Sequence, residues 1–561
     1  MSASPRARSG VRLRAAAAAV VSTWRNADLR RAELSFAGAW TAEWAFSVGI
    51  GVYAFRHGGA KAVGVVAVLR MLPAAIAAPA LTPYADRHRR ERVLAFVCAV
   101  RAVATGAAAV LAPVRGAAFA VYALAMVAAV AAVPFRPVHS ALLPTLCRTP
   151  YELASANVVR GLLDSASTLI GAAIAAVFLS RAGVGAVFGA AAAASLLSAI
   201  PLLRLHPEPA PRLSSYGETR SAAPATAMMT GARAVARDGD LTLMFVLAGM
   251  QTLIRGALNV FLVVVAIDVL GSGEAGVGTL TAALGAGAVA ASIAALLLVG
   301  SKRLARWFGV GVALWGLPIA LLAFHPSKAL ALVLLAIVGI GNALVDIGLF
   351  TVVARLAPHE VLAQVFGALE SVAAIGVAFG SLLAPVLIAL AGVSAALLVI
   401  GLSTPIAVAA AWWRLNRLDA GMTHRDREID LLRNVPMFAP LPLPSIEQLA
   451  RLLEPRSVHA GEAVFAQGDI GDCYYVIVDG TADVTGGGNG VASLGPGEGF
   501  GEIALLHSRP RTATVRARTD LQLMALSGAN FTSVVSSYRP SGAAATVYVD
   551  HLLARFTPDD I

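Results

Sequence analysis

Between residues 34 and 413 the chain is an almost unbroken succession of apolar runs, each close to the length of a bilayer-spanning helix and separated by short polar turns. Crossing a bilayer takes roughly 20 apolar residues in a helix. Inside hydrocarbon every backbone polar group must be satisfied within the segment, and a helix does that. Runs at 34–55, 62–83, 93–112, 117–135, 153–179, 184–203, 241–268, 275–299, 309–324, 329–352, 366–390 and 393–413 predict twelve spans. Buried helices of a large soluble protein would be shorter and amphipathic. Composition points the same way: 58% of residues are hydrophobic and 14% charged, where a soluble chain carries about 25% charged. An ordinary soluble enzyme, a disordered chain and a collagen-like fibre are excluded. Cys98, Cys147 and Cys473 are too far apart in sequence to suggest a disulfide framework or zinc site.

The formal charge of +11 resembles a nucleic-acid signal until it is located. Residues 1–430 hold 35 Lys and Arg against 20 Asp and Glu, whereas 431–561 hold 9 against 13. The basic excess therefore belongs to the apolar part, where it sets orientation and does not point to nucleic acid. With the N-terminus inside, the inside segments carry 22 Lys and Arg and the outside turns 5. This predicts a multi-pass protein of the cell membrane with both termini cytoplasmic. Residues 11–24 have a leader-like Arg-then-apolar pattern but no clean small-x-small cleavage site. They read as part of a cytoplasmic N-terminal segment, 1–32.

The spans divide six and six around the longest internal loop, 204–240, which holds Pro207, Pro209, Pro211, Gly217 and Pro224. Pro and Gly at that density make a linker. A half repeated after such a loop suits a transporter built from two six-helix bundles with a site between them. The turn after the second span reads Pro83-Tyr84-Ala85-Asp86-Arg87-His88-Arg89-Arg90-Glu91-Arg92. With the topology, it resembles the major facilitator superfamily over about residues 30–415, whose hairpin runs Gly-x-x-x-Asp-Arg-x-Gly-Arg-Arg. Asp86, Arg87 and Arg90 match, Thr82 and Arg89 stand where the family has glycines, and Glu91 replaces the last arginine. The second half keeps only Lys302-Arg303-x-x-Arg306. The resemblance implies a gate loop whose ion pairs hold one face of the bundles together.

Ionisable residues inside spans are costly and rarely face lipid. The transport candidates are Glu43, Arg101, Arg160, Asp164, Gln251, Arg255 and Asn259. Glu43, flanked by Trp40 and Trp44, lies near mid-span without obvious solvation and is a proton-carrier candidate. Arg160 and Asp164 are four apart and could pair on one helix face. Gln251, Arg255 and Asn259 repeat that spacing as one polar strip. Arg70, Asp346 and Glu370 read as span-end or hydrogen-bonding residues.

The chain changes character near residue 414. Residues 33–414 form the membrane domain, 415–430 a charged linker, and 431–556 a Gly-punctuated segment with β-branched runs such as Tyr474-Tyr475-Val476-Ile477-Val478. Short strands at that spacing predict a jelly roll or barrel. The overall fold class is therefore a mostly α membrane protein with a C-terminal cytoplasmic β-roll and flanking helices. Within it Gly499-Phe500-Gly501-Glu502-Ile503-Ala504-Leu505-Leu506 precedes Arg509-Pro510-Arg511-Thr512-Ala513. Free N–H groups where a helix opens donate to a phosphate, an arginine can pair with that anion, and a carboxylate beside the glycine can accept from a ribose hydroxyl.

This segment resembles the cyclic nucleotide-binding domain, together with Gln467-Gly468-Asp469-x-Gly471-Asp472 upstream. The resemblance assigns Gly501 and Glu502 to ribose and phosphate, Arg511 to the phosphate with Thr512 beside it, and Ile503, Ala504 and Ala513 to the cassette lining. It implies cAMP or cGMP as a regulatory ligand, with no other cofactor and no metal, and a lid helix over 543–556. No helix-turn-helix or enzyme motif accompanies it, so neither DNA binding nor an enzyme activity is expected. A Walker motif is missing, as are the pore loop and arginine-repeat helix of an ion channel. The reading is a secondary transporter of a small solute, proton-coupled and efflux-like, under cyclic-nucleotide control. The alternative is a non-transporting membrane receptor or scaffold that senses the nucleotide.

Overall fold

The structure, a computed structural model, describes residues 24–86, 88–147, 150–205, 224–298, 303–324, 326–357, 361–438, 446, 449–450, 452–486, 489–506 and 509–537. The N-terminal stretch 11–24 (except Trp24), Arg87, residues 206–223 of the 204–240 loop and the expected lid helix 543–556 lie outside them. So does the side chain of Asp86. The chain divides into two compact units, Met1–Asn416 and Arg417–Ile561.

The first unit is helical: α1 (Ala27–Asp86), α2 (Arg90–Leu111), α3 (Ala118–Ala132), α4 (Phe135–Leu146), α5 (Pro150–Arg181) and α6 (Gly183–Leu203). The second half adds α7 (Pro224–Arg237), α8 (Gly239–Val264), α9 (Gly273–Leu298), α10 (Leu304–Leu321), α11 (Lys328–Leu356) and α12 (Leu362–Arg433). Among the described residues ten helical stretches are long and apolar enough to cross a membrane. Two of them are interrupted. Helix α1 breaks at Gly58 and Gly59, the latter at φ 61°, and α12 breaks at Gly392, at φ 82°. Only glycine enters that left-handed region without steric cost, so each glycine permits a sharp reversal between two apolar runs.

Helix ends depart from the apolar runs. α1 begins at Ala27, ahead of the apolar run at 34, because Asn26 accepts from the backbone N–H groups of Asp28 and Leu29 and caps the helix. α8 starts on Asp238, whose Oδ1 accepts from Asp240 and Leu241. It ends in a π-helical turn, Val265–Val269. Leu29, Phe36, Leu94, Phe135 and Leu142 form one core at an end of the first six helices.

The halves meet along α5 and α9. A Cβ on Gly278 would lie 2.6 Å from the Ala176 nitrogen and 2.8 Å from the Ala172 carbonyl. Small residues there let two backbones approach closely, which replaces hydrophobic drive with packing in lipid. Ser165 and Ser292 hydrogen-bond across the same seam at 3.0 Å. Near the 56–61 and 269–274 turns, the Arg56 guanidinium forms a two-pronged ion pair with Glu274.

The helical record of α12 runs through 415–430 to Arg433. In the second unit, eight strands form two antiparallel four-stranded sheets. One is ordered β1 (Glu454–Val458), β8 (Leu521–Ser527), β3 (Cys473–Asp479), β6 (Gly499–Phe500). The other is ordered β2 (Ala463–Phe465), β7 (Thr514–Ala517), β4 (Ala482–Gly486), β5 (Asn489–Leu494). Strand alternation explains the run at 474–477. Tyr474 and Val476 pack with Phe438 and Phe531, while Tyr475 and Ile477 face the other way onto Phe500 and Leu523. The short helix α13 (Glu502–Leu506) follows β6, and α14 (Gly528–Ser537) follows β8.

Candidate functional site

In the β-roll, the turn at 468–472 and the strand entering β7 hold each other. The Arg511 N–H donates to the Asp469 carbonyl at 2.8 Å and the Gly468 N–H to the Arg511 carbonyl at 2.9 Å. That clamp fixes the Arg511 side chain, which is 3% exposed. Its Nη1 donates to the Gly501 carbonyl at 2.9 Å and its Nη2 to the Cys473 carbonyl at 2.7 Å, with Asp472 Oδ1 at 3.3 Å. The guanidinium lies 4.1 Å from the centroid of the Phe465 ring, a geometry in which the ring face attracts the cation. Gly501 sits at φ 97°, and a Cβ there would lie 2.6 Å from Arg511 Nη1.

Glu502 is buried beside this arginine. Burial pushes its carboxyl up to about 7, against the pull of its own backbone N–H and of Arg511. Glu502 Oε2 and Arg511 Nε are both buried without a hydrogen-bond partner among the described residues. Unmet buried polar atoms are rare in folded proteins and need a reason. Here an unmet acceptor and an unmet donor sit together, the deficit that a ligand with hydroxyls and an anionic oxygen would fill. Ala504 and Ala513 are buried, Ile503 half-buried and Thr512 exposed.

In the membrane unit the structure corrects three expectations. Glu43 is not an isolated carboxyl. Its Oε1 accepts from Arg70 Nη2 at 2.6 Å and its Oε2 from Arg101 Nη2 at 2.6 Å, with Ser47 alongside. The two runs of α1 and helix α2 thus share a buried ion triad, because two guanidiniums solvate what hydrocarbon cannot. Arg70, read from sequence as a span-end residue, is 7% exposed. Second, Arg160 and Asp164 do not pair. Asp164 accepts from Arg136 Nη2 at 2.7 Å, and Arg160 Nη1 donates to Ser140 Oγ. Both partners come from α4, which competes successfully with the i, i+4 neighbour. Third, Gln251, Arg255 and Asn259 do not form one uniform strip: Gln251 is buried at 4% exposure, whereas Arg255 and Asn259 are exposed.

Of the gate-loop residues, Arg90 donates to the Ala141 carbonyl at 2.8 Å; the Asp86 side chain and Arg87 are outside the described residues. Sequence reasoning missed Arg136 and underrated Asp346. Asp346 is exposed on α11. It accepts from Asn342 Nδ2 at 3.1 Å and interacts electrostatically with Arg255, Asp164 and Arg136. The first half supplies Arg136 and Asp164 to this cluster and the second half Arg255, Asn342 and Asp346. Nothing in the local pattern marks Arg136, which sits at the start of α4 after Pro134. Glu33, also overlooked, is fully buried with neither carboxyl oxygen hydrogen-bonded among the described residues.

The Major Facilitator Superfamily model matches residues 34–368 and 244–452, and the cyclic nucleotide-binding domain model matches 455–538. A cyclic nucleotide-gated potassium channel of Rhizobium etli is 35% identical over 141 residues, which is 24% of this chain and 39% of the channel. A cAMP-dependent protein kinase regulatory subunit of Schizosaccharomyces pombe is 43% identical over 94 residues, 17% of this chain and 23% of that protein. The chain thus spans well under half the length of these curated relatives. Among solved structures, the regulatory domain of Toxoplasma gondii PKA with cAMP is 26% identical over 20% of this chain and 44% of that one, at a TM-score of 0.19.

Proposed function

Because the chain belongs to the major facilitator superfamily and carries a C-terminal cyclic nucleotide-binding domain, we propose that it is a secondary transporter of a small solute governed by cAMP or cGMP. The observation that carries this reading is the ionic cluster of Arg136, Asp164, Arg255 and Asp346, drawn from spans of both halves. A scaffold has no use for charges held within its membrane spans. Counting the interrupted helices α1 and α12 as two spans each gives twelve, with both termini cytoplasmic by the Lys and Arg bias. The Arg56–Glu274 pair holds the halves at one end while they rock about the α5–α9 seam.

Export coupled to proton entry fits the buried carboxyls. With Glu43 occupied by two guanidiniums, Glu33, neither of whose oxygens is hydrogen-bonded among the described residues, is the proton-carrier candidate. In the β-roll, Glu502 accepts from ribose hydroxyls and Arg511, with the Gly501 backbone, takes the cyclic phosphate. The signal passes to the transporter through residues 415–430. A ligand changes transport only by as much as it binds the transporter's states differently. No enzyme activity is part of this reading.

Proteoliposomes holding the full chain and an internal pH indicator test it. A solute that discharges an imposed pH gradient with wild type, not with Asp346→Asn, and at a rate changed by cAMP or cGMP, is the expected result. Solute-independent leak identical in protein-free liposomes refutes transport. Solute-dependent discharge indifferent to both nucleotides refutes the regulation alone.

A further inference from the structure

The groups of the central cluster are not equally satisfied. Arg136 and Asp164, both of the first half, are paired with each other at 2.7 Å. Across from them, Arg255 on α8 is exposed and has no hydrogen bond or ion pair among the described residues, although Asp346 lies within electrostatic range. Asp346 on α11 accepts one hydrogen bond, from the neutral Asn342 amide, and has no ion-pair partner among the described residues. The second half therefore presents one open guanidinium and one open carboxylate, near enough to interact electrostatically yet too far apart to neutralise each other directly. Asn259, one turn beyond Arg255 on α8, is exposed as well and adds an amide.

We infer that the transported solute is a small zwitterion whose carboxylate pairs with Arg255 and whose cationic group pairs with Asp346. This rests on the transporter reading above and names the substrate class of the same site. The reasoning is charge balance. Arg136 with Asp164, Arg160 with Glu33, and Arg255 with Asp346 make three positive and three negative groups. A singly charged anion would neutralise Arg255 and leave Asp346 unpaired as the halves close and water leaves; a cation would do the reverse. Coulomb interactions strengthen as the dielectric falls, so either orphan becomes costlier in the closed state. A solute carrying both charges meets both, and its bridge from α8 to α11 leaves the pairs in the first half intact.

The test uses the purified full chain in detergent and thermal shift with matched probes: L-leucine against 4-methylpentanoate and isopentylamine, and glycine betaine against choline, with L-carnitine and glycyl-L-leucine widening the size range. At least one zwitterion should raise the melting temperature, and its single-charge analogue should bind about 10- to 150-fold more weakly, the span expected for a lost hydrogen bond to a charged group. In Asp346→Asn the carboxylate-only analogue should match the zwitterion, and in Arg255→Gln the amine should. The wild-type comparison needs no variant, so a misfolded substitution does not spare the idea. A single-charge analogue that binds as tightly as its zwitterion, or no shift with any zwitterion of the panel, overturns the assignment. Counterflow of the same radiolabelled probes separates the two claims. An anion or cation that is carried refutes the zwitterion and keeps the transporter; a zwitterion bound but not carried does the opposite.

Discussion

Replacing Glu502 by glutamine probes the β-roll where its chemistry is least ordinary. The carboxyl is buried, and that burial lifts it from 4.5 to about 7. A raised carboxyl stabilises the folded state fully below pH 4.5, and the contribution disappears as pH climbs through about 7. At neutral pH and above, holding the charged form costs the nucleotide-free domain on the order of 3 kcal/mol. Ribose hydroxyls donate to the charged form, so nucleotide binding should favour it and release a proton when pH lies below about 7. Wild-type affinity for cAMP should then be about tenfold weaker at pH 6 than at pH 8, following a single titration. Glu502→Gln should lose roughly 1.5–3 kcal/mol at pH 8, about 10- to 150-fold in Kd. It should lose the pH dependence too, so that the two proteins converge toward pH 6. Calorimetry on the full chain, in two buffers of different ionisation enthalpy, reads both affinity and proton release. A wild-type Kd flat from pH 6 to pH 8, or a glutamine variant with the same slope, would show that Glu502 is not the group that meets the ribose.

Gly501→Ala should weaken cAMP by at least about tenfold in the same measurement, since φ 97° strains an alanine by about 1–3 kcal/mol and its Cβ would press on Arg511; an unchanged Kd removes the argument. Glu43→Gln leaves Arg70 and Arg101 without a counter-charge and should cost about 3–5 kcal/mol, seen as a lowered melting temperature of the purified chain; full stability would make the triad ornamental. Removing 431–561 should give a transporter whose rate ignores cAMP and cGMP, and a residual nucleotide response would place a second sensor in the membrane unit. Alkaline phosphatase fused after residue 430 should be inactive, while activity would invert the topology.

The apolar runs and the Gly501–Ala513 cassette were legible because each depends on neighbours in sequence. A span is a property of twenty consecutive residues, and the cassette folds as one turn, one short helix and one strand entry. Span ends were less legible: capping by Asn26 and Asp238 and glycine reversals at Gly59 and Gly392 decide them within a few residues. Sequence spacing placed Arg160 and Asp164 on one face but could not say what stood opposite. Tertiary structure gave Asp164 to Arg136, 28 residues away, and Glu43 to Arg101, 58 residues away. It also brought Arg255 and Asp346 into electrostatic range of each other. A helix fixes the angles among its own side chains, whereas its rotation about its axis is set by packing against its neighbours. In a chain apolar on nearly every face, hydrophobic periodicity carries little of that rotation. The partner and depth of a buried charge are therefore decided by the fold, while its presence is already written in the sequence.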